Sequence, residues 1–269
     1  MYGVTNNFTE RETVKSIDIN SDCGESFGNW RMGTDADIIP EITTANVACG
    51  FHAGDPMTMQ RAVAAAQSSD TVVGAHPGLP DLLGFGRRRM VISPEEAYAY
   101  ILYQVGALRA ILNSHNMTLH HIKPHGALYM MLNDDVDLAR PVVRAIQELC
   151  PQPRMYWPGP VDGLVLPELA RDAGIEVVSE VYFDREYDND GRLIVPREQS
   201  AIDLDTISER VRIFLHSNEV ITIDNDRLKI DARSICVHGD GPNARELLAA
   251  IKVVLAEEEC RVEAVSHNG

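Results

Sequence analysis

The sequence predicts an α/β fold whose parallel sheet closes into a barrel, and three observations point there. About seven β-rich segments alternate with helical segments at the spacing of βα units. A chain of 269 residues with 45% hydrophobic content can bury one large core. Four of the β-rich runs also end at once in a polar or histidine-bearing turn: Ile17 to Asp22, Asn46 to Asp55, Val72 to His76 and His121 to His125. A parallel barrel gathers its strand ends on one face, which would bring these turns together. A doubly wound open sheet is the alternative.

Residues 1–15 are polar and without periodicity and read as a flexible lead-in, with a single domain over residues 16–269. Ile17 and Ile19 mark the first strand, which ends in Asp22-Cys23-Gly24-Glu25. The second ends at Asn46-Val47-Ala48-Cys49 and runs into a glycine-punctuated loop carrying His52 and Asp55. Pro56 then opens a helix over Met57–Ser68. A short buried strand spans Thr71–Ala75. The loop over residues 76–89 is long and glycine-rich enough to be a binding loop or lid.

Ser93-Pro94-Glu95-Glu96 has the form of a capped helix start. Apolar residues at Ala97, Ile101, Val105, Leu108 and Leu112 give that helix one buried face. Further strands are predicted at Thr118–Lys123, Arg154–Trp157, Ile175–Val181 and Ser234–Val237. Helices are predicted at Asp135–Leu149, with Pro141 marking its true start or a kink, and at Leu164–Ala173, Asp205–His216 and Asn243–Glu258. The run Val220–Ile230 reads as an edge hairpin, and the loop after Val181 is dense in charge.

The formal charge of −16 and a pI near 4.9 disfavour nucleic acid and anionic membrane surfaces as partners. The first fifteen residues lack the apolar run of a signal peptide, and no stretch is long and apolar enough to span a bilayer. The expectation is a soluble, cytoplasmic protein. Five cysteines, an odd number in a chain too large to need disulfides, indicate reduced thiols. Cys23 and Cys49 read as small buried hydrophobes rather than nucleophiles.

His52, His76, His125 and His238 all fall at or just past a predicted strand end, accompanied by Asp22, Glu25, Asp55, Asp184 and Asp240. Histidine and carboxylate converging there suit a divalent metal that makes water nucleophilic, with a spare carboxylate as base. Arg87, Arg88, Arg185 and Arg197 lie in loops. They are either clamps for a substrate carboxylate or partners of Asp81, Asp184 and Glu198. Asn46, Arg87, Arg185, Arg197, His238 and Asp240 are the candidate substrate contacts. There is no G-x-x-x-x-G-K-[ST] and no G-x-G-x-x-G after a strand, so no phosphate-cradling loop is legible.

Several segments together are similar to one family. D-I-N-S-D-C-G-E (18–25), T-A-N-V-A-C-G-F-H-A-G-D (44–55), G-A-H-P (74–77), G-F-G-R (84–87), H-I-K-P-H-G-A-L-Y (121–129), V-P-R-E-Q-S (195–200) and H-G-D-G (238–241) resemble the LamB/YcsF family of lactam-utilisation proteins. The likeness covers roughly residues 16–260. It implies a seven-stranded β/α barrel of the glycoside hydrolase/deacetylase type. It also implies the ATP-dependent opening of 5-oxoproline to L-glutamate in a complex with two further subunits, B and C. By the wider likeness Asp22, His76 and His125 are the metal-ligand candidates and His52 lines the same pocket. Two departures stand out: Cys23 occupies a position usually held by a larger apolar residue, and Phe183 replaces a small one and is expected to narrow the pocket.

The implied chemistry has a physical rationale, because a five-membered lactam is resonance-stabilised and opens poorly without coupling. Phosphorylation of the lactam oxygen creates a leaving group, and activated water then attacks the ring carbon. Glu25 or Asp55 is the candidate base, and Lys123 or a histidine such as His52 the group that stabilises developing charge. ATP with Mg²⁺ is expected to be handled mainly by the partner subunits. The rival expectations are a metal-dependent amide or sugar deacetylase acting without ATP, and a non-catalytic lactam-binding subunit.

Overall fold

The computed structural model describes residues 14–194 and 200–266. In chain order the elements are β1 (Ser16–Cys23), α1 (Asp35–Ile38), β2 (Thr44–Ala48), α2 (Pro56–Ser68), β3 (Val72–His76) and α3 (Pro94–Ser114). β4 (Leu119–Ile122), α4 (Gly126–Asp134), α5 (Val136–Leu149), β5 (Arg154–Pro158), α6 (Val165–Asp172) and β6 (Glu176–Tyr182) follow. The last part holds β7 (Glu186–Tyr187), β8 (Leu193–Ile194), α7 (Leu204–Ser217), β9 (Glu219–Ile221), β10 (Arg227–Lys229), β11 (Ser234–Cys236), α8 (Ala244–Glu257) and β12 (Arg261–Val262).

Seven parallel strands run β1-β2-β3-β4-β5-β6-β11, and β11 returns to pair with β1 through Asp18↔Ser234, Ile19↔Ile235 and Asn20↔Cys236. That last pairing closes the sheet and rules out the doubly wound alternative. β12 adds alongside the start of β1, through Ser16↔Arg261 and Ile17↔Val262. Val265 just beyond it packs against Tyr156 and Val178, covering the N-terminal end of the barrel.

The period of two along β1 divides the molecule. Ile17 and Ile19 face outward into an apolar layer shared with the helices, where Val47, Ile122, Trp157 and Leu248 are also buried. Asp18, Asn20 and Asp22 face the barrel interior, and that interior is polar. Asp18 accepts hydrogen bonds from Thr44 at 2.6 Å and Tyr156 at 3.0 Å, together with the hydroxyls of Thr43 and Ser234. Asn20 receives the Asn46 amide at 2.8 Å one layer higher. Buried polar groups of this kind hold a single arrangement only when each is satisfied, so the layers set the register of the strand ends above them.

Helix starts follow their sequence signals. Ser93 and Glu96 form the expected capping box of α3, and Pro94 occupies its first turn. α5 runs unbroken through Pro141 from its cap at Asp135, so the proline neither starts nor ends it. α4 was not legible, because His125 at its N-cap makes no side-chain capping bond and Gly126 adopts φ 55°. The run from Val220 does form a hairpin, β9 with β10, but as a separate two-stranded sheet rather than an edge of the barrel. The charged loop after β6 carries the small hairpin β7–β8. Among the described residues, no helix is long and apolar enough to cross a membrane.

Candidate active site

A cavity of about 90 Å³ opens at the C-terminal ends of the strands. Its walls include Asp22 from β1, His76 from β3, Lys123 and His125 after β4, Arg185 after β6 and His238 after β11, with Glu25, Arg87 and Asp240 from the adjoining loops. Most of the residues selected from sequence therefore share one site. Asn46, Asp55 and His52 are not part of its lining, and Arg197 lies outside the described residues.

One wall is a histidine cluster. His76 donates Nδ1–H to the carbonyl of Lys123 at 2.7 Å, and His125 donates Nε2–H to the carbonyl of Phe85 at 2.8 Å. A carbonyl can only accept, so the neutral forms of both rings have lone pairs on their other nitrogens. Those nitrogens, His76 Nε2 and His125 Nδ1, face each other at 2.9 Å, with Asp22 Oδ2 3.3 Å from the first. Two ring nitrogens and a carboxylate oxygen thus converge in a donor set suited to a cation. Burial and the neighbouring His76 push His125 down to about 3, so that ring is neutral near pH 7.

His52 stacks face to face on His125, ring centroids 3.8 Å apart and planes 6° from parallel. It is buried, and neither ring nitrogen has a hydrogen-bond partner. Its closest carboxylate contact is Glu25 Oε1, 3.8 Å from Nε2. Burial, then the charges of Asp22 and Asp240, push Glu25 well above the usual carboxylate range. The stack fits only because residues 78 and 86 lack side chains. A Cβ on Gly78 would meet His52 Nδ1 at 2.4 Å, and one on Gly86, where φ is 64°, would meet His125 Cδ2 at 2.9 Å.

Beneath the histidines lies a buried ion network that sequence reasoning grasped only in part. Lys123 Nζ contacts Glu180 Oε1 at 2.9 Å, Asp22 Oδ1 at 3.1 Å and Cys236 Sγ at 3.3 Å. Burial works against the ammonium, but Asp22, Cys236 and Glu180 hold its pKa well above the ordinary lysine value. Burial likewise works against the Asp22 carboxylate, which His76 and Lys123 hold well below its usual range. With its protons committed downward, Lys123 is a fixed counter-ion rather than a free donor for charge developing in the cavity. Asn46, expected to touch substrate, is fully buried instead. Its amide donates to Asp22 Oδ1 at 2.8 Å while its oxygen accepts from His121 Nε2 at 2.7 Å, so it orients Asp22 from below.

The opposite wall is cationic. Arg185 is 5% exposed, and its Nη1 donates to the carbonyl of Asp184 at 2.8 Å. Its Nε and Nη2 are buried without a hydrogen-bond partner, and Nη2 lies 3.9 Å from Asp240 Oδ1. Asp184 Oδ2 accepts Nδ1–H of His238 at 2.8 Å. Burial opposes the Asp184 charge, but His238 and Arg185 hold the carboxyl below its usual range. His238 stacks on Tyr182 with its Nε2 left for the cavity. Arg87 lies over the Phe85 ring, 5.1 Å from its centroid, at the exposed rim. Arg88 pairs with Asp81, and Arg185 Nη1 also lies 3.3 Å from Asp184 Oδ2, the internal salt bridges that were the other expectation for the loop arginines.

Two expectations need correction, and one about the cysteines holds. Asp55, a candidate base, is the N-cap of α2: its carboxylate accepts from Thr58 N at 2.8 Å and from Gly28 N at 2.8 Å. Both oxygens serve backbone amides, so it is a structural cap. Asp55→Ala is expected to lower stability by about 1 kcal/mol, read from urea unfolding, with the cavity residues undisturbed. Backbone N–H groups of Gly28 and Thr58 hold this carboxyl below its usual range. Its contribution is therefore present at neutral pH and lost as pH falls through the lowered folded value. Phe183 does not narrow the cavity, because it turns outward onto Phe214 of α7, ring centroids 5.8 Å apart. Cys23 and Cys49 are buried, and burial pushes the Cys49 thiol up to about 12, so neither is a nucleophile.

Among known proteins the chain matches the LamB/YcsF family over residues 17–268. The A-type subunit of the 5-oxoprolinase of Thermococcus onnurineus is 44% identical over 248 residues, covering 91% of this chain and 96% of that protein. The solved lactam utilization protein of Thermus thermophilus superposes with a TM-score of 0.84 at 38% identity, covering 93% of this chain and 100% of its own. A glycoside hydrolase, the β-mannanase of Alicyclobacillus acidocaldarius, covers 91% of this chain and 99% of its own with a TM-score of 0.50 at 8% identity, a likeness of fold alone. Family match, identity and barrel agree over nearly the whole chain, which belongs to the LamB/YcsF family.

Proposed function

We propose that this chain is the lactam-opening subunit of an ATP-dependent 5-oxoprolinase, converting 5-oxo-L-proline to L-glutamate together with B-type and C-type partner subunits. The observation that carries the proposal is the buried guanidinium of Arg185, two of whose donor nitrogens have no hydrogen-bond partner, across a small cavity from the histidine cluster. Unpaired buried donors are costly to keep, and a carboxylate is the group that a guanidinium fork satisfies. A cyclic amide bearing one carboxylate fits such a site. The names of the relatives point the same way.

In this reading Arg185 anchors the substrate carboxylate, and His238, held by Asp184, moves the proton between water and the departing ring nitrogen. Lys123, Asn46 and the lumen beneath keep Asp22 charged and fixed. The donor set on the histidine wall fits a divalent cation. His76 and His125 would hold it through their facing lone pairs, with further ligands from Asp22 on one side or from His52 and Glu25 on the other. When bound, such an ion supplies Lewis-acid polarisation of the carbonyl and a more acidic water. ATP is assigned to the partners, since no phosphate-cradling loop is legible in this chain. Cysteines that are all buried and free suit a reducing cytoplasm.

The test is glutamate release from 5-oxo-L-proline by this chain alone and co-purified with its partners. ATP-dependent release is expected from the complex and none from the single chain. ATP-independent hydrolysis of an acetylated sugar or another amide by the single chain would overturn the proposal and favour the deacetylase alternative.

A further inference from the structure

We infer that this chain binds one divalent ion with the ligand set Glu25, His52, His76 and His125, and that Asp22 lies outside that set. One atom from each of the four lies within 4.8 Å of the others. All four residues are buried. The inference refines the cavity described above but does not depend on the reaction assigned to it, because ion binding is measured without turnover.

Three independent features favour this set. First, His52 is a buried imidazole without a hydrogen bond on either nitrogen, and such a group is expensive to keep unless something binds it. Second, His76 and His125 are each fixed by donating to a backbone carbonyl, the outer support that orients metal-binding imidazoles, and this turns their other two ring nitrogens toward each other at 2.9 Å. Third, the structure keeps glycine at residues 78 and 86, where a Cβ would drive into the His52 and His125 rings. The fold has made room for a stack that forms no hydrogen bonds of its own on the His52 side.

Asp22 belongs to a different set. With Cys236 and His238 it forms a second group of converging donor atoms, but that group already contains a cation. Lys123 Nζ sits 3.1 Å from Asp22 Oδ1 and 3.3 Å from Cys236 Sγ. A dication drawn to Asp22 would lie beside that ammonium in a buried setting, where like charges are weakly screened. Glu25 has no lysine or arginine among its ion-pair partners in the described residues, only His52. The cation on the Asp22 side is a buried ammonium in direct contact with the carboxylate, whereas Arg87, the cation nearest the Glu25 side, is exposed at the rim and makes no ion pair with Glu25.

The experiment titrates chelator-stripped protein with Co²⁺, reading visible absorption, and counts Zn²⁺ retained after gel filtration by elemental analysis. Wild type is expected to take up one ion per chain. His52→Ala and Glu25→Gln should each weaken Co²⁺ binding by about a hundredfold or more, beyond the roughly 10–100-fold typical of outer-shell partners. Asp22→Asn should weaken it by less than about tenfold, as an outer-shell change would. His52→Gln, closer in volume, repeats the first test if the alanine variant unfolds. Wild type that retains neither metal overturns the inference. So does the reverse ranking, in which Asp22→Asn abolishes binding and His52→Ala preserves it.

Discussion

Lys123→Met is expected to destabilise the barrel by about 3–5 kcal/mol, the scale for removing one partner of a buried ion pair. The lysine is 4% exposed, and the two carboxylates it serves, on Asp22 and Glu180, are nearly or wholly enclosed. Without it two like charges remain in the lumen, and one must take up a proton for the barrel to stay closed. Urea unfolding at pH 7 measures the loss. The sign of the pH dependence follows from the raised lysine pKa. Its contribution is complete at every pH below the ordinary lysine value and fades only as pH climbs through the higher folded value. The wild-type contribution at neutral pH is therefore undiminished. Adding Glu180→Gln to Lys123→Met should recover part of the stability, since one of the two stranded charges is gone. A single variant as stable as wild type would show that water reaches the lumen and screens it.

The strand ends were readable from sequence because barrel geometry and turn chemistry coincide there. A β-rich run stopped by His76, His125 or His238 marks both the end of a strand and the face it points to. Glu180 was not readable. It lies inside β6 among Val177, Val178 and Val181, and a carboxylate in such a run looks like an outward polar residue until the sheet closes around it. Asp18 and Asn20 were hidden for the same reason, since a polar lumen inverts the usual sense of strand alternation. Asp55 shows the opposite error. Pro56 signals a helix start, which makes the residue before it a cap, yet a carboxylate soon after His52 also has the form of a catalytic group. The hydrogen bonds decide between the two readings, and the backbone of α2 takes the side chain. Which loop arginine keeps nitrogens without a hydrogen bond is a matter of packing alone. Arg88 finds Asp81 seven residues back, whereas Arg185 keeps two nitrogens without a hydrogen bond behind a cavity that no local pattern announces.

Those two nitrogens without a hydrogen bond make Arg185→Met the variant with the largest expected effect on substrate binding. If the guanidinium fork receives the carboxylate of 5-oxo-L-proline, its loss removes a charge-assisted pair worth about 1.5–3 kcal/mol, roughly a ten- to hundredfold weaker affinity. Arg185→Lys should recover little, because an ammonium offers a point charge where the site presents a planar fork. Arg87→Met should cost less, since Arg87 is exposed at the rim and water already screens it. The same side chain of Arg185 also donates to the Asp184 carbonyl, so a weaker complex alone does not separate binding from positioning of His238. Truncating the substrate does separate them. 2-Pyrrolidinone keeps the lactam and lacks the carboxylate, so its affinity for the partner-bound complex should be nearly equal in wild type and Arg185→Met. Calorimetry on both compounds gives the comparison. Equal losses for the two ligands would make Arg185 a support for Asp184 and leave the carboxylate without its anchor, whereas a loss confined to 5-oxo-L-proline places the carboxylate on the guanidinium.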